Sequence, residues 1–88
     1  MKKIIRAKSF KKDFKNLPQL IQKQTEKQLG FLIKDISYPS LRIKIVRKYE
    51  KERVFEGSIT KNYRFIFQII KDEYILLRIG KHDILEKC

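Results

Sequence analysis

The sequence predicts a single α+β domain in which an N-terminal strand and a helical hairpin precede a four-strand antiparallel meander. Three observations support this class. Apolar residues recur at helical spacing up to about residue 37, they alternate or form short runs from residue 41 onward, and turn-forming residues separate those runs. The length of 88 residues leaves no room for a second module, so the domain should span residues 1–88. The meander should form one sheet with helices on one face.

The chain opens with a short strand followed by a first helix. Ile4 and Ile5 form the predicted strand, and the Ser9 hydroxyl is expected to cap the helix by accepting free amides of the first turn. The apolar residues of this helix recur at positions i, i+4 and i+7, which places them on one face. They are Phe10, Phe14 and Leu17.

A second helix follows Pro18, which interrupts the first helix and suits the first position of the next. Its apolar stripe predicts a helix that runs to about Ser37, because the residue before Pro39 avoids helical backbone angles. Gly30 lies inside this helix and is interpreted as a site of close helix contact. The two helices form the predicted hairpin.

From Leu41 the apolar period changes to two, which predicts strands. Leu41 to Ile45 reads as a half-buried strand with a basic exposed face, and further strands are expected at 54–60, 63–70 and 74–80. A charged turn over Tyr49 to Arg53 and tight turns at Lys61-Asn62 and Lys71-Asp72 connect them. A short C-terminal segment follows the last strand.

The net charge of +12 points to a polyanionic partner. Residues 1–50 hold 14 basic and 4 acidic residues, a net +10, whereas residues 51–88 hold 8 and 6. Such a field attracts nucleic acid or acidic proteins, and no basic segment has the apolar face that membrane insertion requires. A solvated helix surface that only keeps the protein soluble is the alternative explanation.

Composition excludes several classes of site. The single cysteine, Cys88, cannot form an internal disulfide, and one Cys with one His cannot supply a four-ligand zinc site. The sequence contains no glycine-rich phosphate loop, no nucleophile elbow and no apolar run of membrane-spanning length. We therefore expect a cytoplasmic protein without a metal or another cofactor.

The remaining polar residues of the strands suit a metal-independent ribonuclease site. Arg64 and Arg78 each interrupt an apolar strand, and His82 follows the last strand. RNA supplies its own nucleophile, so such a site needs cations for the phosphorane and one group that exchanges protons near neutral pH. The alternatives are arginines paired with Glu56 or Asp83 in structural roles, and a structural histidine.

Two blocks of the sequence, Ser58–Phe67 and Arg78–Asp83, resemble the RelE/ParE superfamily of bacterial and archaeal toxins. The order of elements is similar over nearly the whole chain. The resemblance implies a toxin that cleaves mRNA in the ribosomal A site and is silenced by a cognate acidic antitoxin. It also implies that Arg64 and Arg78 stabilise the phosphorane and that His82 acts as acid or base.

The expected RNA contacts and auxiliary groups surround these three residues. The RNA contacts are Arg42, Lys44, Ser58, Lys61 and Lys81, and the auxiliary groups are Glu56 and Asp83. Phe55 and Gly57 stand where RelE itself carries basic side chains. Two alternative functions stay open: a ParE-like toxin that inhibits DNA gyrase without cleaving RNA, and a nucleic-acid-binding domain without toxicity.

Overall fold

The computed structural model describes residues 3–46 and 51–82 and has the predicted α+β class. Its elements, in chain order, are β1 (Lys3–Arg6), α1 (Lys8–Lys15), α2 (Gln19–Lys34), a 3₁₀ turn (Pro39–Leu41), β2 (Lys44–Ile45), β3 (Val54–Ser58), β4 (Tyr63–Ile70) and β5 (Glu73–Lys81). The predicted charged turn lies partly, and the predicted C-terminal segment wholly, outside the described residues. Neither described helix is long and apolar enough to cross a membrane.

The five strands form one mixed sheet in the order β1-β5-β4-β3-β2. Strands β2 to β5 each pair antiparallel with the next strand in the chain, which confirms the predicted meander. Strand β1 pairs in parallel with β5, a contact that the sequence did not predict. Without β1, the outer edge of β5 would expose unpaired backbone groups along its first half.

The hydrophobic core lies between the two helices and one face of the sheet. It joins side chains of α1, α2, the 3₁₀ turn and strands β4 and β5, each at most 7% exposed. Its largest members are Phe10, Leu29, Leu32, Leu41, Phe65, Phe67, Tyr74 and Leu76. Burial of one such side chain contributes roughly 1.5–3 kcal/mol, so this cluster is the main source of stability.

Two predictions about the helix ends are wrong. The first helix begins one residue before Ser9, whose hydroxyl donates instead to the Leu77 carbonyl at 2.6 Å. The second helix ends at Lys34, three residues early, because Asp35 accepts hydrogen bonds from the Ser37 amide at 2.9 Å and hydroxyl at 2.6 Å. Short polar side chains that bond nearby backbone groups compete with helix continuation in this way.

Two further predictions, one in α2 and one before β2, are wrong. A Cβ atom added to Gly30 would meet no atom within 4 Å, so this glycine does not mark a close helix contact. The strand expected at Leu41 to Ile45 is reduced to β2, because Leu41 belongs to the 3₁₀ turn and Arg42 adopts a left-handed conformation with φ of 47°. Such a residue cannot continue an extended strand.

A cationic candidate site at the end of the sheet

The turn between β3 and β4 organises the candidate site. Strand β3 ends at Ser58, two residues before its predicted end, because the next two residues donate their amides to the Tyr63 carbonyl at 2.9 and 3.2 Å. The Thr60 hydroxyl accepts the amides of Asn62 and Tyr63 at 3.3 and 3.2 Å. The His82 amide donates to the Asn62 carbonyl at 3.1 Å, which fixes the end of β5 against this turn.

Arg64 lies near the start of β4, directly opposite Ser58. Its Nη1 donates to the Ser58 hydroxyl at 2.9 Å and to the Thr60 carbonyl, with a longer contact of 3.4 Å to the Tyr63 carbonyl. All three acceptors are uncharged, and within residues 3–46 and 51–82 no carboxylate forms an ion pair with Arg64. The turn therefore orients this guanidinium without neutralising its charge.

Arg64 and His82 line one cavity of about 460 Å³. Its other lining residues are Lys61, Asn62, Tyr63 and Lys81. Three of these six side chains are cations, and none of the described lining residues is acidic. The cavity therefore presents a local positive field that favours an anion such as a phosphate group.

His82 lies between this cavity and a buried carboxylate. Its Nδ1 is 3.8 Å from Oε1 of Glu56, whose other oxygen, Oε2, forms an ion pair with Lys44 Nζ at 3.2 Å. Glu56, which the sequence suggested as an auxiliary group, thus lies beside His82. Lys44, an expected RNA contact, is ion-paired with Glu56.

Arg78 lies in an adjoining cavity of about 290 Å³, which shares Tyr63 and Lys81 with the first. Its Nε donates to Oδ2 of Asp13 at 2.7 Å, and its Nη2 donates to Oδ1 at 3.2 Å. Oδ2 also accepts the Ile79 amide at 3.2 Å. The structure therefore does not place Arg78 in the cavity of Arg64, and a carboxylate already occupies two of its donors.

Asp13 was missed by the sequence analysis. It lies on α1, 65 residues from Arg78, and only the packing of α1 over the edge of β5 brings them together. The available signal was weak: Asp13 is the single acid in a helix with four lysines. Ser9 and Asp13, one helical turn apart, bond the Leu77 carbonyl and the Ile79 amide where β1 no longer pairs with β5.

A third cavity, of about 480 Å³, adjoins the first through Lys61. Arg42 and Ser58, two expected RNA contacts, lie in its wall. Gln28, to which the sequence analysis assigned no role, is 7% exposed and donates from Nε2 to the carbonyls of Ser58 and Ser40 at 2.8 and 3.1 Å. It anchors α2 to the strand end that holds Arg64.

The three cavities together form a band along one end of the sheet. Every expected RNA contact except Lys44 lines at least one of them. Asp83, the second expected auxiliary group, lies outside the described residues. Among the described residues, no three His, Cys, Asp or Glu side chains are grouped as ligands for a metal ion.

The fold and this site can be compared with known proteins. No family model matches the sequence, and no curated protein matches it significantly. Solved structures do match. A metal-bound toxin from Helicobacter pylori superposes with a TM-score of 0.78 at 25% identity, over 97% of this chain and 99% of that one.

Two other solved toxins show the same architecture. RelE in the RelB-RelE antitoxin-toxin complex from Methanococcus jannaschii gives a TM-score of 0.78 at 21% identity, over 94% of this chain and 95% of that one. YafQ from E. coli gives a TM-score of 0.66 at 17% identity, over 97% of this chain and 98% of that one. These similarities confirm the predicted fold class: the chain has the fold of the RelE-type toxins.

Proposed function

We propose that this chain, which has the fold of the RelE-like toxins, is the toxin of a toxin-antitoxin pair and an endoribonuclease that cleaves mRNA on the ribosome. The observation that carries the proposal is the placement of Arg64 and His82 in one cationic cavity. An arginine held by uncharged groups supplies charge for the phosphorane, and an imidazole supplies proton transfer. Together with Lys61 and Lys81, which line the same cavity, these two groups meet the minimum that metal-independent RNA cleavage requires.

The reaction would proceed by attack of the ribose 2′-oxygen on the adjacent phosphorus. A base takes the 2′-hydroxyl proton, the new O–P bond forms, and the bond from phosphorus to the 5′-oxygen breaks as an acid protonates that oxygen. The products are a 2′,3′-cyclic phosphate and a 5′-hydroxyl. Arg64 binds the phosphate oxygens, Lys61 and Lys81 add charge, and His82 serves as acid or base.

In this proposal Arg78 acts from the edge of the site. Its cavity shares Lys81 and Tyr63 with the Arg64 cavity, so a phosphate bound beside Lys81 lies between the two arginines. Because Asp13 binds two of its donors, Arg78 adds less charge to a bound phosphate than Arg64 does. We therefore assign the main stabilising role to Arg64.

An antitoxin is part of the proposal. The Methanococcus jannaschii relative was solved as a RelB-RelE complex. A chain with a net charge of +12 favours an acidic partner, and a partner that covers the cavity band would block access of RNA. Binding of an acidic protein encoded by a neighbouring gene is the corresponding test.

The experiment that tests the catalytic assignment uses purified ribosomes that translate a defined mRNA. Primer extension should reveal cleavage with the wild type and a 10²–10⁴-fold lower rate with Arg64→Ala or His82→Ala. Lys71→Ala is the matched control, because Lys71 follows the far end of β4 and lines none of the three cavities. Cleavage that is unchanged in both site variants would contradict the assignment.

The second candidate is a non-catalytic toxin that inhibits DNA gyrase. The observation that favours it is the ion pair between Arg78 and Asp13, which removes one of the three expected catalytic groups from the main cavity. Induction of the protein in cells separates the two candidates. Translation stops first if the chain cleaves mRNA, whereas supercoiling of a reporter plasmid is lost first if gyrase is the target.

A further inference from the structure

We propose that Glu56 is a positioning residue that holds the His82 imidazole with Nδ1 toward the sheet and Nε2 toward the cavity. The catalytic consequence of this arrangement rests on the proposed function. The arrangement itself is independent of the proposed function, and it can be measured in the isolated protein.

Glu56 is a buried carboxylate on a strand where most neighbours are apolar. It is 8% exposed and pairs across the sheet with Lys44 on one side and Ile66 on the other. Ile66 in turn lies opposite Arg78, so an apolar residue separates Glu56 from that arginine. Among the described residues, the cations that face the carboxylate are Lys44 at 3.2 Å and His82 at 3.8 Å.

A buried carboxylate is costly unless its oxygens are paired. Lys44 forms an ion pair with Oε2 of Glu56. Because the Lys44 side chain is 65% exposed, this ion pair lies at the rim of the site. Oε1 faces the imidazole. Glu56 therefore pairs with Lys44 through one oxygen and faces His82 with the other.

The imidazole of His82 is exposed on one side only. Its side chain is 37% exposed, yet Nδ1 is fully buried. The exposed surface therefore belongs to other atoms of the side chain, and the residue lines the Arg64 cavity. The hydrogen bond from its amide to the Asn62 carbonyl fixes the backbone in this place.

A carboxylate beside Nδ1 determines which nitrogen carries the proton of the neutral ring. The negative charge favours Nδ1–H, which leaves the Nε2 lone pair directed away from Glu56 as a base. When the ring is protonated, Nε2–H becomes the acid. In both states the exchangeable site is the nitrogen on the cavity side, as cleavage by Arg64 and His82 requires.

Because His82 is the only histidine in the chain, nuclear magnetic resonance can report this arrangement directly. Long-range ¹H–¹⁵N spectra of protein labelled in the imidazole, recorded at alkaline pH, distinguish the two neutral tautomers. We expect the Nδ1–H form in the wild type and a shift toward the Nε2–H form, which free histidine prefers, in Glu56→Ala.

Two variants serve as controls for this spectrum. Glu56→Gln keeps an acceptor oxygen and nearly the same volume, so it should fold and retain the Nδ1–H form even if Glu56→Ala unfolds. Glu52→Gln removes an exposed carboxylate of the same type and should leave the spectrum unchanged. An Nε2–H form in the wild type would overturn the inference. So would an Nδ1–H form that persists in a folded Glu56→Ala protein.

The activity of the same variants tests the consequence. Glu56→Ala should lower kcat for mRNA cleavage by about 10- to 100-fold with little change in KM for ribosomes, because proton transfer is impaired and phosphate binding is not. Unchanged kcat would overturn the positioning role. If the wild type itself does not cleave, the proposed function fails, and the tautomer spectra still decide whether Glu56 orients His82.

Discussion

At the scale of single residues, the groups that surround Arg64 and Arg78 determine how strongly each guanidinium can attract a phosphate. Arg64 and Arg78 both lie on strands, both form several hydrogen bonds, and both were expected to be catalytic. The hydroxyl and carbonyl groups around Arg64 leave its charge intact, whereas Asp13 binds Arg78 through two donors. A guanidinium that already faces a carboxylate attracts a phosphate more weakly.

Replacement of Asp13 should separate its two structural roles. Asp13→Asn keeps an oxygen that accepts the Ile79 amide but loses the ion pair with Arg78, and we expect a loss of about 1 kcal/mol in the free energy of unfolding. Asp13→Ala loses both contacts, which should cost roughly 2–3 kcal/mol. Urea denaturation monitored by circular dichroism measures both. Equal stability of wild type and Asp13→Ala would show that the ion pair contributes nothing.

Tyr74 should make stability depend on alkaline pH. Burial raises the pKa of this phenol, and the charge of Asp35 raises the pKa further. Because the folded state binds the proton more tightly, the stabilising contribution is complete below about pH 10 and is lost as the pH rises through the folded-state pKa. The urea midpoint should therefore fall as the pH rises above about 10, and Tyr74→Phe should weaken that fall. An identical pH dependence in the variant would contradict this origin.

At the scale of the elements, packing requires a glycine at position 57 but not at position 30. Gly57 on β3 lies opposite Phe65, and a Cβ atom there would come within 2.4 and 2.5 Å of two Phe65 ring carbons. Its neighbour Phe55 points to the same core face, opposite Phe67. Neither residue lines any of the three cavities, so these two positions belong to the core face of β3.

This contrast gives a matched pair of substitutions. Gly57→Ala should cost about 1–3 kcal/mol of unfolding free energy, because the added methyl overpacks against a buried ring. Gly30→Ala should instead stabilise the protein by about 0.5–1 kcal/mol, because the helix gains propensity and the methyl meets no atom within 4 Å. Thermal denaturation of both variants checks the signs. Stabilisation by Gly57→Ala would mean that Phe65 moves aside without cost.

The sequence predicted elements well where side-chain spacing determines them. Periods of 3.6 and 2 predicted α1, α2 and strands β3 to β5. An arginine inside an apolar strand and a histidine after the last strand suggested Arg64 and His82 as candidate site residues. It did not predict contacts made only by the tertiary fold: the parallel pairing of β1 with β5, the Asp13–Arg78 ion pair and the Gln28 bridge to Ser58. The strand that contains β2 was predicted too long, because a left-handed arginine leaves no signal in a hydrophobic pattern.

At the scale of the whole molecule, the positive charge has two locations. The exposed lysines of α1 and α2 carry part of the +10 of the first half of the chain, whereas the cavity band adds single cations at one end of the sheet. The first set provides a broad field that attracts a polyanion. The second set is positioned to contact individual phosphates.

The cavity lysines should contribute to RNA affinity through phosphate contacts. Replacement of Lys61 or Lys81 by Gln should weaken binding of single-stranded RNA for every sequence and reduce the slope of log K against log salt by about 0.7 each. Lys71→Gln, at the opposite end of β4, should have a smaller effect on the slope. Fluorescence anisotropy across a salt series measures all three, and salt-independent binding by the wild type would contradict the electrostatic role.

The chemistry of the RNA ends tests the central claim most directly. Fragments produced by the wild type on translating ribosomes should carry a 2′,3′-cyclic phosphate and a 5′-hydroxyl, which mass spectrometry identifies, and Arg64→Ala and His82→Ala should yield few or no such fragments. A 3′-hydroxyl with a 5′-phosphate, or cyclic phosphate ends formed equally well by both variants, would contradict a site in which Arg64 stabilises the phosphorane and His82 transfers the proton.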